Sequence, residues 1–110
     1  MTTRTVRYRM HLERLIRCVR RPDGRDSAPY CTLGVFEQVI DYLADHPGRG
    51  TDAQALRRAL AVPAREVRVA LGFLVARGLL VRRGRLLYGW SRRLEQRARQ
   101  QFCLLALTGR

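Results

Sequence analysis

The chain has 110 residues, enough for one modest hydrophobic core and too few to suggest a second domain. It carries 22 Lys+Arg against 9 Asp+Glu, a formal net charge of +13 at pH 7, and every one of its basic residues is arginine. A charge that large on so small a chain favours a polyanionic partner, nucleic acid first, with ribosome association or an acidic protein partner as the plainer alternatives. No apolar run is long enough to span a membrane, and Met1 to Met10 lacks the apolar stretch and small-residue cleavage site of a signal peptide, so the cytoplasm is the expected compartment.

Residues Thr2 to Arg9 alternate, Val6 and Tyr8 against Arg7 and Arg9, but Tyr8, Leu12, Leu15, Ile16 and Val19 then fall at helical spacing. A helix from about Tyr8 to Arg20 behind a basic arm is therefore expected, with a strand over Thr3 to Met10 as the competing reading. Arg21 to Pro29 is a loop, because Pro22-Asp23-Gly24 is turn chemistry and Pro29 closes it. With Asp23 and Asp26 among its arginines, it reads as a connector and not as a phosphate-contacting loop.

Thr32 can cap a helix from Leu33 to about His46, with Phe36, Val39, Ile40 and Leu43 as its core face. On the opposite side Glu37, Asp41 and Asp45 stand four residues apart, an acidic stripe in a helix without any Lys or Arg. Such a stripe should face away from DNA, dock an arginine-rich helix of this chain or a partner, or simply be solvated.

Thr51 and Gln54 have the spacing of a capping box, which starts a helix at Asp52 carrying Leu56, Ala59 and Leu60. That helix ends before Pro63, which suits the first turn of another whose inner face is Val67, Ala70, Leu71, Leu74 and Val75. Gly78 stops the second helix. Leu79 to Arg82, an Arg83-Gly84 turn and Arg85 to Tyr88 then read as a hairpin. If Val81 and Leu86 face the core, Leu80 and Leu87 point outward. Ser91 can cap a last helix with Leu94, Ala98, Phe102 and Leu105 along one side, and Phe102 to Leu107 is apolar nearly all round.

The order helix, turn, helix, hairpin resembles the winged helix-turn-helix family of prokaryotic DNA-binding regulators. The resemblance is carried by Leu56 and Leu60, by Val67, Leu71 and Leu74, and by the run Leu74-Val75-Ala76-Arg77-Gly78-Leu79-Leu80 before a basic hairpin, over roughly half of the chain. It implies a mainly α fold with a small β-hairpin: a winged helix-turn-helix core with additional N- and C-terminal helices. One domain, 1–110, would comprise an arm, helix and loop at 1–31, the winged-helix core at 32–90 and a C-terminal helix at 91–110. A very short strand at Arg49 to Thr51, pairing with the hairpin, belongs to the same pattern.

Double-stranded DNA is then the expected partner, with the second core helix (about 63–77) in the major groove. Its outward face would carry Arg65 and Arg68 for guanines or phosphates and Val69 for a thymine methyl, with Gly72 small enough for close approach. Arg57 and Arg58 on the preceding helix, and Arg82, Arg83 and Arg85 on the hairpin, are placed for phosphates. The apolar sets Leu12, Leu15, Ile16, Val19 and Leu94, Phe102, Leu105 need cover, which a homodimer would supply.

Other chemistry has little support. Cys18, Cys31 and Cys103 form no CxxC pair, and His11 and His46 are the only histidines, so neither metal nor cofactor is expected. No nucleophile–base arrangement or glycine-rich phosphate loop is visible. Glu37 and Asp41 as an acid/base pair would sit on a convex face, so no enzymatic activity and no small-molecule ligand is expected. The leading reading is a dimeric transcription regulator. A winged-helix interaction module docking through its C-terminal helix is the alternative. RNA binding, with Tyr8, Tyr30 and Trp90 as stacking candidates, ranks third.

Overall fold

A computed structural model describes residues 4–46, 49–89 and 94–108. In chain order the elements are β1 (Thr5–His11), β2 (Arg14–Arg20), β3 (Tyr30–Thr32), α1 (Leu33–Asp45), α2 (Ala53–Leu60), α3 (Ala64–Ala76), β4 (Leu80–Arg83), β5 (Leu86–Gly89) and α4 (Leu94–Thr108). The first three strands form an antiparallel sheet in the order β1-β2-β3, and β4 and β5 form a separate hairpin. The fold is thus mixed α/β, which corrects the expected mainly α architecture.

The N-terminal segment is where expectation and structure part. The expected helix over Tyr8 to Arg20 is two strands, in register from Thr5 opposite Arg20 to His11 opposite Arg14. The two-residue turn between them is Leu12-Glu13, at φ 49 and 60, the left-handed pair that a tight hairpin demands. Strand alternation then sends Leu15 and Val19 inward, with Cys31 of β3, while Leu12 stands at the tip, 81% exposed. The competing strand reading of Thr3 to Met10 is the nearer one. The following loop is a connector as expected. The Asp23 carboxylate accepts the Arg25 N–H at 2.9 Å, and Asp26 accepts that of Arg21 at 3.0 Å, so both acids are engaged within the turn.

Helix α1 starts where its cap requires, the Thr32 hydroxyl accepting the Val35 N–H. Phe36, Val39, Ile40 and Leu43 are buried, as their spacing predicts. The acidic stripe docks α4: Arg99 reaches Glu37 at 3.2 Å, Asp41 at 3.5 Å and, within its own helix, Glu95 at 3.3 Å. Partial desolvation works against the Arg99 charge, but its bonds to Glu37 and Glu95 outweigh that and raise its pKa.

Helix α2 begins one residue away from the anticipated box. Asp52, not Thr51, is the cap, accepting the Ala55 N–H at 2.8 Å. Thr51 is buried and forms a bridge with Leu87, giving its N–H to Leu87 O at 2.9 Å and taking the Leu87 N–H at 2.7 Å. The strand expected at Arg49 to Thr51 is thus reduced to a single-residue bridge at Thr51. Helix α3 ends in a Schellman motif: Leu79 N–H bonds Leu74 O, Gly78 N–H bonds Val75 O, and Gly78 takes φ 73. The hairpin faces opposite to expectation. Leu80 and Leu87 are buried, and Val81 and Leu86 are the half-exposed pair, because pairing with Thr51 turns Leu87 inward.

A chain of rings crosses the core, with Tyr8 edge-on to Phe73 at 5.5 Å, Phe73 to Phe36 at 5.8 Å, and Phe36 to Phe102 at 4.7 Å. It ties β1, α3, α1 and α4 into one body. The apolar surface expected to need a dimer is therefore largely covered within the chain: Leu15, Val19, Phe102 and Leu105 are all buried, and Ile16 is half-buried. The Leu94 side chain and the expected cap Ser91 lie outside the described residues. No helix among the described residues is long and apolar enough to cross a membrane.

Candidate nucleic-acid interface

Strand β1, helix α3 and the β4–β5 hairpin enclose an open cleft of about 1170 Å³. Seven arginines line it. Arg7, Arg9 and Arg17 come from the N-terminal sheet, Arg68 and Arg77 from α3 and its C-terminal end, and Arg82 and Arg85 from the hairpin. The one carboxylate among the lining residues, Asp52, is already engaged as the α2 cap. Guanidinium groups stay charged at any physiological pH and present forked N–H donors that match phosphate oxygens. Such donors converging on one concavity match the spacing and charge of phosphate oxygens.

Each wall has a local cause. Alternation along β1 half-buries Val6, Tyr8 and Met10, the last two against the core, and leaves Arg7 and Arg9 exposed. Arg77 follows the last residue of α3 and lies over the Phe73 ring at 5.3 Å, which fixes its stem beside the cleft. Arg17 pairs across from Tyr8, and its Nε is buried with no hydrogen-bond partner among the described residues. Burial raises the Tyr8 phenol pKa above its ordinary 10.0, while Arg17 and Arg4 pull the other way. The hydroxyl is thus neutral at physiological pH.

Of the residues singled out in the sequence, Arg68, Gly72, Arg82 and Arg85 meet in this cleft. Arg57, Arg58, Arg65 and Arg83 are exposed but stand outside it. Val69 is a correction: it is 1% exposed, part of the core cluster, and has no access to a base. Gly72 is another. Its open side faces the Tyr8 hydroxyl, so its smallness serves the approach of β1 and not that of a DNA groove. Arg7, Arg9, Arg17 and Arg77 are the cleft residues that sequence reasoning misses. The signal for the first two is present in the Val6-Arg7-Tyr8-Arg9 alternation, which a strand turns into one apolar and one basic face.

The thiols are separate from this site except for half-buried Cys18, which lies on its margin. Among the described residues no group of His, Cys, Asp and Glu is arranged to hold a metal ion. Comparison with protein-family models, with curated proteins and with solved structures found no match to this chain.

Proposed function

We propose that this protein binds double-stranded DNA through the arginine-lined cleft and the exposed start of α3. The observation that carries the reading is the convergence of seven arginines from the N-terminal sheet, the α3 region and the β4–β5 hairpin on one concavity with a single, engaged carboxylate. The order α1, α2, α3, β4–β5, with the Thr51 bridge to the hairpin, is similar to that of a winged helix and supports this reading, although the β1–β3 sheet stands where the resemblance implies an N-terminal helix. On this reading Arg65 and Arg68, exposed near the start of α3, are the base-reading candidates, since recognition helices read with their N-terminal residues. Tyr8 covers α3 at Gly72 and Phe73, which limits how much of the helix can enter a groove, so phosphate contacts dominate affinity and sequence preference is modest. Transcription regulation is the role that fits such a domain.

Fluorescence anisotropy of a random-sequence duplex, titrated over a range of salt, tests this. With several arginines displacing counterions, log K should fall against log[salt] with a slope of about −0.9 per phosphate neutralised. Folded protein that leaves the duplex free at low salt overturns the reading. An interaction module would then be favoured, and the exposed Leu104 and Leu107 on α4 are the surface it would use.

A further inference from the structure

We infer that the outer face of the β1-β2-β3 sheet is a second phosphate-binding surface, continuous with the cleft and gripping the same duplex. The inference rests on the DNA-binding reading above. Register assigns this face. Opposed residues share a side, so Thr5 with Arg20, Arg7 with Cys18, Arg9 with Ile16, and His11 with Arg14 all point away from the core, and Tyr30 joins them beside Ile16. Arg7, Arg9, Arg14 and Arg20 are exposed around a half-buried centre of Ile16, Cys18 and Tyr30. None of the strand positions on this face holds Asp or Glu.

The charges are also unrelieved. Arg7 is the diagonal neighbour of Arg20, and Arg9 of Arg14, spacings of about 7–8 Å between Cα atoms. The ion pairs among the described residues involve Arg25 and Arg99 and leave these four arginines alone. Repulsion at that range costs stability in the free protein, and a row of phosphates laid over the face removes it. Arg14 is held in place by stacking on Tyr30 at 4.6 Å, which leaves its in-plane N–H groups available to oxygens. Arg7 and Arg9 belong to both surfaces, because they line the cleft as well. The basic strip therefore runs unbroken from the β4–β5 hairpin over α3 and β1 to β2. Its partner is the sugar-phosphate backbone, since a face of arginines with two aromatic rings, Tyr30 already covered by Arg14 and His11 at the end of β1, offers no row of platforms for stacked bases.

The test compares salt slopes for one duplex among wild type, Arg14→Gln/Arg20→Gln on the sheet, and Arg68→Gln/Arg82→Gln in the cleft. The sheet variant should bind with a slope shallower by about 1.8, at about 0.9 for each phosphate left unneutralised, and the cleft variant should shift similarly. If only the cleft variant shifts, the sheet surface is overturned and the cleft reading stands. If wild type does not bind, both fall together. Arg20→Gln alone, which leaves the Arg14–Tyr30 stack untouched, serves should the double variant melt early, and its slope should change by about 0.9.

Discussion

The Tyr8 hydroxyl occupies the space where a side chain at Gly72 would begin: a Cβ there would lie 2.6 Å from Tyr8 Oη, with the next atom of the ring, Cζ, at 3.8 Å. One glycine in α3 thus sets how closely the N-terminal sheet approaches the helix. Gly72→Ala should destabilise the protein by about 1–3 kcal/mol, the usual range for overpacking, despite alanine's better helix propensity. Tyr8→Phe removes the clashing oxygen, so Tyr8→Phe/Gly72→Ala should recover most of that loss. Urea unfolding of the four proteins reads the coupling. Simple additivity would mean that the two residues do not touch.

Cys31 makes stability depend on pH at the alkaline end. Burial first, then the negative charge of Glu66, pushes its thiol from the ordinary 9.0 up to about 12. The same Glu66 accepts the Thr32 N–H at 2.8 Å, so the carboxylate is anchored beside the thiol. A group whose folded pKa is raised leaves stability intact below its unfolded value. That stability then declines as pH rises from about 9 through about 12, because the unfolded chain loses the proton first. Wild type should therefore lose stability between about pH 8 and about pH 10.5 more steeply than Cys31→Ala, measured by denaturant midpoints. Equal slopes would contradict the burial argument. At a pH of about 8 a thiol reagent should label exposed Cys103 in the native protein and Cys31 only after unfolding.

The turn at Leu12-Glu13 places two residues with side chains at positive φ, a conformation that costs an L-residue roughly 1–2 kcal/mol. The Glu13 carbonyl also accepts the Leu33 N–H at 3.0 Å, a backbone contact that any residue can make. Leu12→Asn/Glu13→Gly supplies the preferred tight-turn pair and keeps that bond. It should raise stability by about 1–2 kcal/mol, visible as a higher urea midpoint at unchanged slope. A loss of stability would mean that the turn contributes contacts through its side chains.

That turn also explains what is legible in the sequence and what is not. Helices α1 and α3 are legible because each combines a 3.6-residue apolar period with a punctuating residue, Thr32 at one start and Gly78 at one end. Tyr8, Leu12, Leu15, Ile16 and Val19 satisfy the same period by coincidence. The residues that break it into strands, Leu12 and Glu13, carry none of the Gly, Asn or Asp chemistry that marks a hairpin. The reversal of Leu80 and Leu87 has a different origin. Side chains alternate along a strand, and the choice of face is made by the bridge to Thr51, a residue outside both hairpin strands. The cleft is half legible. Arg68, Arg82 and Arg85 follow from α3 and the hairpin, whereas Arg7, Arg9 and Arg17 join them only once the N-terminal sheet folds over α3.

Phe102 packs 4.7 Å from Phe36 and is buried, so an aspartate there should act on folding and not on association. Phe102→Asp should cost at least about 3–5 kcal/mol, the usual loss on emptying a Phe site before any charge is buried. Leu107 is 84% exposed and Leu104 54% exposed on the same helix, and substitutions at such positions usually stay within about 0.5 kcal/mol. Leu104→Asp/Leu107→Asp should therefore melt close to wild type. Among the described residues Leu104 and Leu107 are the exposed large apolar side chains of α4, because Phe102 and Leu105 are buried inside the chain. Sedimentation at micromolar concentration separates the cases: a dimer in wild type that becomes a monomer in the double leucine variant, with its melting temperature preserved, supports association through this patch. Identical sedimentation of the two proteins would leave α4 as a helix that serves its own core alone.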